Sequence, residues 1–186
     1  DIGRLLRTAT VTDISLIQTQ ASIIDNYELG FISDIDNLHL EFSAYRSTSE
    51  LGTTNKYDPN TGVYLPVRAP QEIYGYEALA HYEFSPELNV TVTYAWVEGK
   101  DTANDIYLGA KQISAPKGTI NINWQPMDNG NVAVTYLYVG DRKRFDKVDG
   151  QYVGDKGPVD SYHIVNLSGS YNLNDDWSGF LGIENL

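Results

Sequence analysis

The feature that most restricts the fold of this chain is a regular alternation of apolar and polar residues in several separate runs. In residues 90–96, valine, tyrosine and tryptophan alternate with threonine and alanine. In residues 119–125, isoleucine and tryptophan alternate with threonine, asparagine and glutamine. Side chains two residues apart lie on the same face of a β-strand, whereas this period does not suit an amphipathic helix. The alternation therefore predicts strands that each have one apolar face and one polar face.

The connections between these runs are alternately short and long. The short ones fall at residues 33–37, 85–88, 126–130 and 174–176, and the long ones fall at residues 47–72, 99–116 and 141–159. Bacterial outer-membrane barrels have short turns at one end and long loops at the other. Each run spans about 9 to 12 residues, the length that crosses a bilayer when a strand is tilted near 45°. We therefore predict an all-β fold, an antiparallel up-and-down transmembrane β-barrel, of which this chain supplies about eight strands. Residues 1–24 lack a sustained period, so we expect a loop with at most one short element there.

Composition argues against several other classes of protein. The chain has no cysteine, which excludes disulfides and thiolate metal sites, and its net charge of -12 argues against nucleic-acid binding. Its mean hydropathy of -0.35 would suit a soluble protein, but barrel strands carry polar residues at every second position. Fourteen tyrosines and three tryptophans suit a membrane–water interface, although the same side chains also line sugar-binding clefts.

Short motifs along the chain resemble one family of outer-membrane proteins. They are Asp-Asn-Tyr-Glu-Leu-Gly at residues 25–30, Gly-Tyr-Glu at 75–77, Pro-Lys at 116–117, Tyr-Val-Gly-Asp-Arg at 138–142, Tyr-His-Ile-Val-Asn-Leu at 162–167, and a last strand from Trp177 to Glu184-Asn185-Leu186. In this order they resemble segments of the barrel of TonB-dependent outer-membrane receptors, whose barrels have about 22 strands. The resemblance implies that residues 1–186 form the C-terminal part of such a barrel, without the plug domain and without the last strand.

The resemblance also implies a function, which is energised uptake of a scarce ligand across the outer membrane of a Gram-negative bacterium. A ferric siderophore is the expected ligand, and iron would enter only as part of that chelate, with no separate cofactor. The expected partners are the ligand, the TonB complex acting through the absent plug, and outer-membrane lipid. Receptors for haem, cobalamin and glycans share the scaffold, so the ligand itself is not fixed. Two other classes stay open: a passive porin-like barrel without a plug, and a soluble all-β carbohydrate-binding module.

Candidate ligand contacts lie in the long connections. The candidates are Tyr57, Tyr64, Arg68, Tyr107, Arg142, Lys143, Arg144 and Phe145. The last four place three cations beside an aromatic ring, and the others could line the same vestibule. Arginine and lysine suit the carboxylate, catecholate or hydroxamate groups around chelated iron, and phenylalanine offers an apolar contact. In the alternative interpretation these side chains are simply exposed, and nearby aspartates neutralise the cations.

The sequence contains no evident catalytic or metal-binding constellation. The three histidines, His39, His81 and His163, fall on separate predicted strands, and a metal site needs ligands clustered at a defined geometry. The chain also lacks a glycine-rich phosphate loop and a nucleophile elbow. We therefore expect neither an enzyme active site nor a resident metal ion.

Overall fold

The computed structural model describes residues 23–58, 60–152 and 157–186, except for the side chains of residues 53–57, 64–67 and 148. The strands are β1 (Ile24–Ile35), β2 (Leu38–Asp58), β3 (Val63–Ser85), β4 (Leu88–Asp101), β5 (Ile106–Tyr107), β6 (Lys117–Met127), β7 (Gly130–Val139), β8 (Lys147–Val148), β9 (Gln151–Tyr152), β10 (Tyr162–Asn172) and β11 (Ser178–Ile183). The short element expected within residues 1–24 falls outside the described ranges, apart from Ile23 and Ile24. Within those ranges there is no helix with the length and apolar character that a membrane crossing would require.

Eight long strands form one antiparallel sheet in the order β1-β2-β3-β4-β6-β7-β10-β11, with the short β5 paired to β4. Each long strand pairs with the next long strand along the chain, which is the predicted up-and-down arrangement. The strands β8 and β9 form a separate hairpin in the long connection after β7. The prediction of an all-β antiparallel fold with about eight strands is therefore confirmed, and the sheet of the described residues is open.

All four predicted short connections are confirmed, and they lie at one end of the sheet. β1 and β2 are joined through Asp36 and Asn37, and the other three pairs are joined across residues 86–87, 128–129 and 173–177. Asp36 has a positive φ of 49°, which aspartate tolerates better than most residues because its short side chain can bond locally. The connections after β4 and β7 are long, as predicted, although each contains short strands. We refer to the two ends of the sheet as the short-turn end and the long-loop end.

The prediction that the strands stop at a long connection over residues 47–72 is wrong. β2 continues to Asp58 and β3 begins at Val63, so this stretch is mostly a two-stranded ribbon. The register shifts between Ser49 and Gly52, and the Thr-Thr-Asn-Lys sequence that follows has no apolar alternation. Backbone hydrogen bonds hold a ribbon together without such alternation, so the pattern could not reveal it. β2 and β3, at 21 and 23 residues, therefore exceed the predicted length of about 9 to 12 residues.

A tight turn closes the ribbon between Asp58 and Gly62. The Asp58 carboxylate accepts hydrogen bonds from the Thr61 hydroxyl at 2.8 Å and from the Asn60 N–H at 3.0 Å. These bonds hold the pKa of Asp58 below its ordinary value, and the bond from Thr61 has the largest effect. Gly62 donates its N–H to the Asp58 carbonyl at 2.9 Å and has a φ of 71°, a conformation that glycine adopts without strain. The turn thus has local causes that were readable from its residue types.

The register aligns the apolar residues of neighbouring strands on one face of the sheet. Val92 lies opposite Ile120, and Ile120 lies opposite Tyr136. On the other face polar side chains pair across strands, as the hydroxyls of Thr93 and Thr119 do at 2.5 Å. The apolar face stays open, since Val92 is 41% exposed and no other strand of the described part packs over it. A soluble sandwich would bury such a face against a second sheet, so this wall suits contact with lipid.

Aromatic rings border the apolar face at both ends. At the long-loop end, the ring centroid of Trp96 lies 5.5 Å from that of Tyr76 and 5.8 Å from that of Tyr74. Near the short-turn end, Trp124 lies opposite Leu88 in the register. Trp96 and Leu88 are about eight residues apart on β4, which corresponds to roughly 27 Å along the strand. This separation is comparable to the apolar band of about 25 Å, with an aromatic girdle on each side, in transmembrane barrels.

Candidate functional site

A small apolar core at the long-loop end holds the connection after β4 against the sheet. The buried apolar side chains in the described ranges are Ala69, Leu108, Ile113, Ala115 and Val139. Leu108 donates its N–H to the Gly99 carbonyl at 2.8 Å, and its side chain packs over Gly99 together with that of Ile113. A Cβ at position 99 would lie 2.6 Å from Ile113 Cδ1 and 2.7 Å from Leu108 Cδ1. Glycine is therefore required for this docking.

A second loop, residues 141–147, is joined to the first one. The Ala110 N–H donates to the Arg144 carbonyl at 2.8 Å, and Lys111 Nζ lies 3.0 Å from the Asp146 carboxylate. These contacts connect the two loops, and the apolar core fixes the first loop to β4. We call this unit, residues 102–116 and 141–147, the loop clasp.

Arg144 ties residues 141–147 of the loop clasp to the sheet through its side chain. Its Nη2 lies 2.7 Å from both carboxylate oxygens of Glu98. Its guanidinium carbon lies 5.2 Å from the centre of the Tyr107 ring, within the range of a cation–π contact. Glu98 also accepts a hydrogen bond from the Gly99 N–H at 2.9 Å. The side chain of Glu98 is 16% exposed and that of Arg144 is 44% exposed, so the cation lies nearer to solvent than its partner.

A cavity of about 240 Å³ lies between the loop clasp and the part of β4 that follows Trp96. Its charged lining residues are Glu98, Asp141, Arg142, Lys143 and Arg144. Three cations and two carboxylates leave this lining with a formal charge of +1, in a chain whose net charge is -12. A local excess of positive charge favours an anionic group in the cavity.

The other residues of the predicted 142–145 segment make separate contacts. Lys143 forms an ion pair with Asp141. The hydrogen bond that Lys143 donates to this carboxylate, and the negative charge of the carboxylate, raise the pKa of Lys143 above its ordinary value. Arg142 is fixed by an isolated backbone bridge to Val159, and its side chain makes no ion pair among the described residues. Phe145 meets Tyr152 edge to face, with ring centroids 6.5 Å apart. The structure therefore brings Tyr107 and Arg144 into contact. Arg142 and Lys143 line the same cavity as Arg144.

The remaining predicted residues lie on the ribbon of β2 and β3. Tyr57 and Tyr64 are opposite each other in the register, and their side chains lie outside the described ones. Arg68 donates from Nη1 to the Leu51 carbonyl at 2.8 Å. No hydrogen bond, ion pair or ring contact joins Arg68 to the loop clasp within the described part of the chain. The eight candidates thus occupy two regions, the ribbon and the loop clasp.

Glu98 was not among the residues predicted from the sequence. It lies 46 residues from Arg144, and only the fold brings the two together. The sequence did contain one signal for a change in environment at this point of β4. Glu98 and Lys100 follow Trp96 on the same face of the strand, which is apolar between Val90 and Trp96. Lys100 pairs with Asp105, and that hydrogen bond raises the pKa of Lys100 above its ordinary value. Two charged residues just beyond an aromatic belt mark the point where this face leaves the lipid-facing band.

The three histidines were expected to be isolated on separate strands; they lie on separate strands, but two of them are neighbours. His39 and His81 lie opposite each other on β2 and β3. His39 is bonded through Nδ1 to Asp34 at 2.6 Å and through Nε2 to Glu41 at 2.8 Å. His163 lies on the other face, between two tyrosine rings. Within the described residues, no three histidine, aspartate or glutamate side chains are grouped so as to hold a metal ion.

Comparison with known proteins assigns this wall of strands to a family. The family described as TonB dependent receptor-like, beta-barrel, matches residues 14–186. The chain belongs to the TonB-dependent receptors. Members of this family are outer-membrane receptors and transporters of Gram-negative bacteria, so the predicted family and the predicted barrel fold are both confirmed. The described sheet corresponds to part of the barrel wall of a TonB-dependent receptor.

Relatives of this TonB-dependent receptor include proteins with named ligands. The ferric aerobactin receptors of Escherichia coli and Klebsiella pneumoniae are each 32% identical over 189 residues, which is 98% of this chain and 23% of theirs. The solved structure of the copper transporter OprC has a TM-score of 0.74 at 17% identity, covering 89% of this chain and 25% of that one. A ferric enterobactin receptor of Pseudomonas aeruginosa has a TM-score of 0.68 at 18% identity, covering 89% and 26%. The chain thus spans about a quarter of the length of these relatives.

Proposed function

We propose that the intact protein is an outer-membrane receptor that takes up a ferric siderophore with energy supplied through TonB. The observation that carries this proposal is the 32% identity to ferric aerobactin receptors along 98% of the chain. The family match and the open apolar wall between two aromatic belts support a membrane location. Iron is cargo within the chelate, and no step of this function requires the protein to act as an enzyme.

The partners follow from the same proposal. Outer-membrane lipid covers the apolar face, the siderophore binds at the long-loop end, and TonB acts through a plug that lies outside this chain. On this arrangement the long-loop end is extracellular, as in barrels whose long loops face outward. The ligand contacts that we propose are Tyr57, Tyr64, Arg68, Tyr107, Arg142, Lys143, Arg144 and Phe145. Two observations support Arg144 and Tyr107 among these: the two side chains contact each other, and Arg144 lines the cavity whose lining has a formal charge of +1.

Uptake of radioactive iron tests this function. The intact receptor is expressed in a Gram-negative strain that lacks its own siderophore receptors, and cells are supplied with ⁵⁵Fe-aerobactin, ⁵⁵Fe-enterobactin or copper. We expect uptake of at least one ferric siderophore, and its loss in a matched strain without TonB. Equal uptake with and without TonB would indicate a passive porin-like barrel. Failure to take up any ferric siderophore would refute the proposal and direct attention to another nutrient.

A further inference from the structure

A second cavity lies on the same side of the sheet as the apolar face, just beyond the aromatic belt at the long-loop end. Arg46, one of its lining residues, lies opposite Tyr74 in the register. Tyr76 and Trp96, which lie opposite each other, form the row before it, about 7 Å nearer the short-turn end. An aromatic girdle marks the boundary between the apolar band of a transmembrane barrel and the lipid headgroups. Arg46 therefore lies at the depth of the headgroups.

The size and charge of this cavity restrict what it can hold. Its volume is about 480 Å³, and it lies beside the register shift of β2 between Ser49 and Gly52. Pockets that enclose a small ligand usually have volumes of roughly 300 to 1,000 Å³, so a whole lipid headgroup fits. The charged lining residues are Asp25, Arg46, Glu50 and Glu72. One cation and three carboxylates give the lining a formal charge of -2.

Both donors and acceptors in this cavity lack partners among the described residues. Arg46 bonds to Glu72 through Nε, at 2.8 Å, and Nη2, at 3.2 Å, which leaves Nη1 without a hydrogen bond there. The carboxylates of Asp25 and Glu50 are exposed and make no hydrogen bond or ion pair with another described residue. Gln71 also lines the cavity, and its buried Nε2 has no hydrogen-bond partner in the described ranges. The lining thus offers N–H groups for an oxygen and carboxylates for a cation.

We propose that this cavity binds the headgroup of a membrane lipid in which a phosphate carries a primary amine. Arg46 receives the phosphate, because a guanidinium pairs well with phosphate oxygens. Asp25 and Glu50 receive the ammonium group, which has three N–H donors. A lining charge of -2 disfavours a headgroup that is only anionic and favours one that also carries a positive charge.

The order of these residues along the strands matches the order of the groups in such a lipid. The acyl chains cover the apolar face, the phosphate follows them, and the amine lies at the outer end. Arg46 is in the first row beyond Tyr76, whereas Asp25 lies opposite Thr48 in the second row. Glu50 is two residues beyond Thr48 on β2. The inference rests on the membrane location proposed above and does not depend on which nutrient is transported.

Three lipids with the same acyl chains and the same phosphate test the inference. They are phosphatidylethanolamine, phosphatidylcholine, whose nitrogen carries methyl groups and no N–H donor, and phosphatidylglycerol, which has no amine. The intact receptor, purified in nonionic detergent, is titrated with each lipid, and native mass spectrometry measures the fraction that holds lipid. Soluble phosphoethanolamine is a fourth probe, which separates recognition of a membrane lipid from recognition of the free headgroup.

Two double variants with the same change of charge test the cavity itself. Asp25→Asn with Glu50→Gln removes the two free carboxylates, and Asp175→Asn with Asp176→Asn removes two carboxylates at the short-turn end. A heat-modifiability gel checks that both variants are folded. We expect the wild-type receptor to bind phosphatidylethanolamine about tenfold more tightly than the other two lipids, the ratio expected from a charge-assisted hydrogen bond. The first variant should lose this preference, and the second should keep it.

The remaining outcomes each decide a separate point. Equal binding of the three lipids by the wild-type receptor, or an unchanged preference in the first variant, would overturn the inference and leave siderophore uptake standing. Loss of the preference on addition of EDTA would assign the carboxylates to a bridging divalent cation and overturn it as well. Equally tight binding of soluble phosphoethanolamine would overturn the assignment to a lipid. Failure of the intact receptor to float with phospholipid vesicles would instead refute the membrane location itself.

Discussion

Replacing Val92 by lysine tests which face of the sheet meets lipid. Val92 is near the middle of the apolar face, opposite Ile120 and between the two aromatic belts. Thr93, the next residue, lies on the polar face, where its hydroxyl bonds to that of Thr119 at 2.5 Å. The two residues lie at almost the same depth in the proposed membrane, and their side chains are on opposite faces of the sheet. Val92→Lys and Thr93→Lys are therefore a matched pair.

The expected magnitudes follow from the surroundings of each side chain. Val92→Lys should lower the free energy of unfolding of the intact receptor by about 2–4 kcal/mol, the cost of a lysine facing lipid near the bilayer midplane. Thr93→Lys removes one side-chain hydrogen bond, worth about 1 kcal/mol. Its ammonium group remains among polar side chains and water on the inner face. The two variants should thus differ by roughly 1–3 kcal/mol.

Guanidinium unfolding of the intact receptor in phospholipid vesicles, followed by tryptophan fluorescence, measures both values. The midpoint and the slope are both needed, because a change in slope would mean that the unfolded or folded state had changed in compactness. A loss in Val92→Lys that is equal to or smaller than the loss in Thr93→Lys would refute the assignment of faces. It would also remove the physical basis for placing this wall in a membrane.

Three further outcomes are expected. The valine side chain of Gly99→Val should collide with Ile113 and undock the loop clasp, so that limited proteolysis cleaves residues 102–116 faster. Gly179→Ala adds a carbon in open space and should leave this cleavage rate unchanged. The pKa of the Asp58 carboxylate in the folded protein is below its ordinary value of 3.8. The hydrogen bonds of this carboxylate therefore stabilise the ribbon turn fully at pH values above 3.8, and this stabilisation is lost as the pH falls through the folded-state pKa. Amide-exchange protection in the turn, corrected for intrinsic rates, should then decrease on acidification, and constant protection would count against these bonds. In a receptor whose single tryptophan is Trp96, brominated lipids should quench its fluorescence, and unchanged emission would place this belt away from lipid.

The sheet could be predicted because its cause is local and periodic. Alternation in residues 90–96 and 119–125 fixes which side chains share a face, and the short turns fix which strands are neighbours. Both signals depend on residues that lie close together in the sequence. The ribbon at residues 47–72 could not be predicted in this way, because its pairing relies on backbone bonds and its register shifts at the bulge after Ser49.

The candidate site was predictable only in part. The cations of residues 142–144 and Tyr107 are visible in the sequence as a charged, aromatic composition of the long loops. Which of them share a cavity depends on Gly99, whose missing side chain lets the first loop dock, and on Glu98, which lies 46 residues from Arg144. Contacts at that separation have no periodic signature. Sequence composition therefore identified the region, and the fold identified Arg144 within it.

The ribbon of β2 and β3 has a consequence for what can reach the long-loop end of this receptor. Beyond the level of Tyr76, which lies opposite Ala44, the paired strands continue to the turn at Asp58. That is about 14 residues, or roughly 45 Å of strand. An antibody or another bulky particle would meet the turn well before it came near Arg144, whereas a small chelate can diffuse past it. A binder directed at Asn60 should therefore label living cells and leave the proposed uptake of ferric siderophore unchanged.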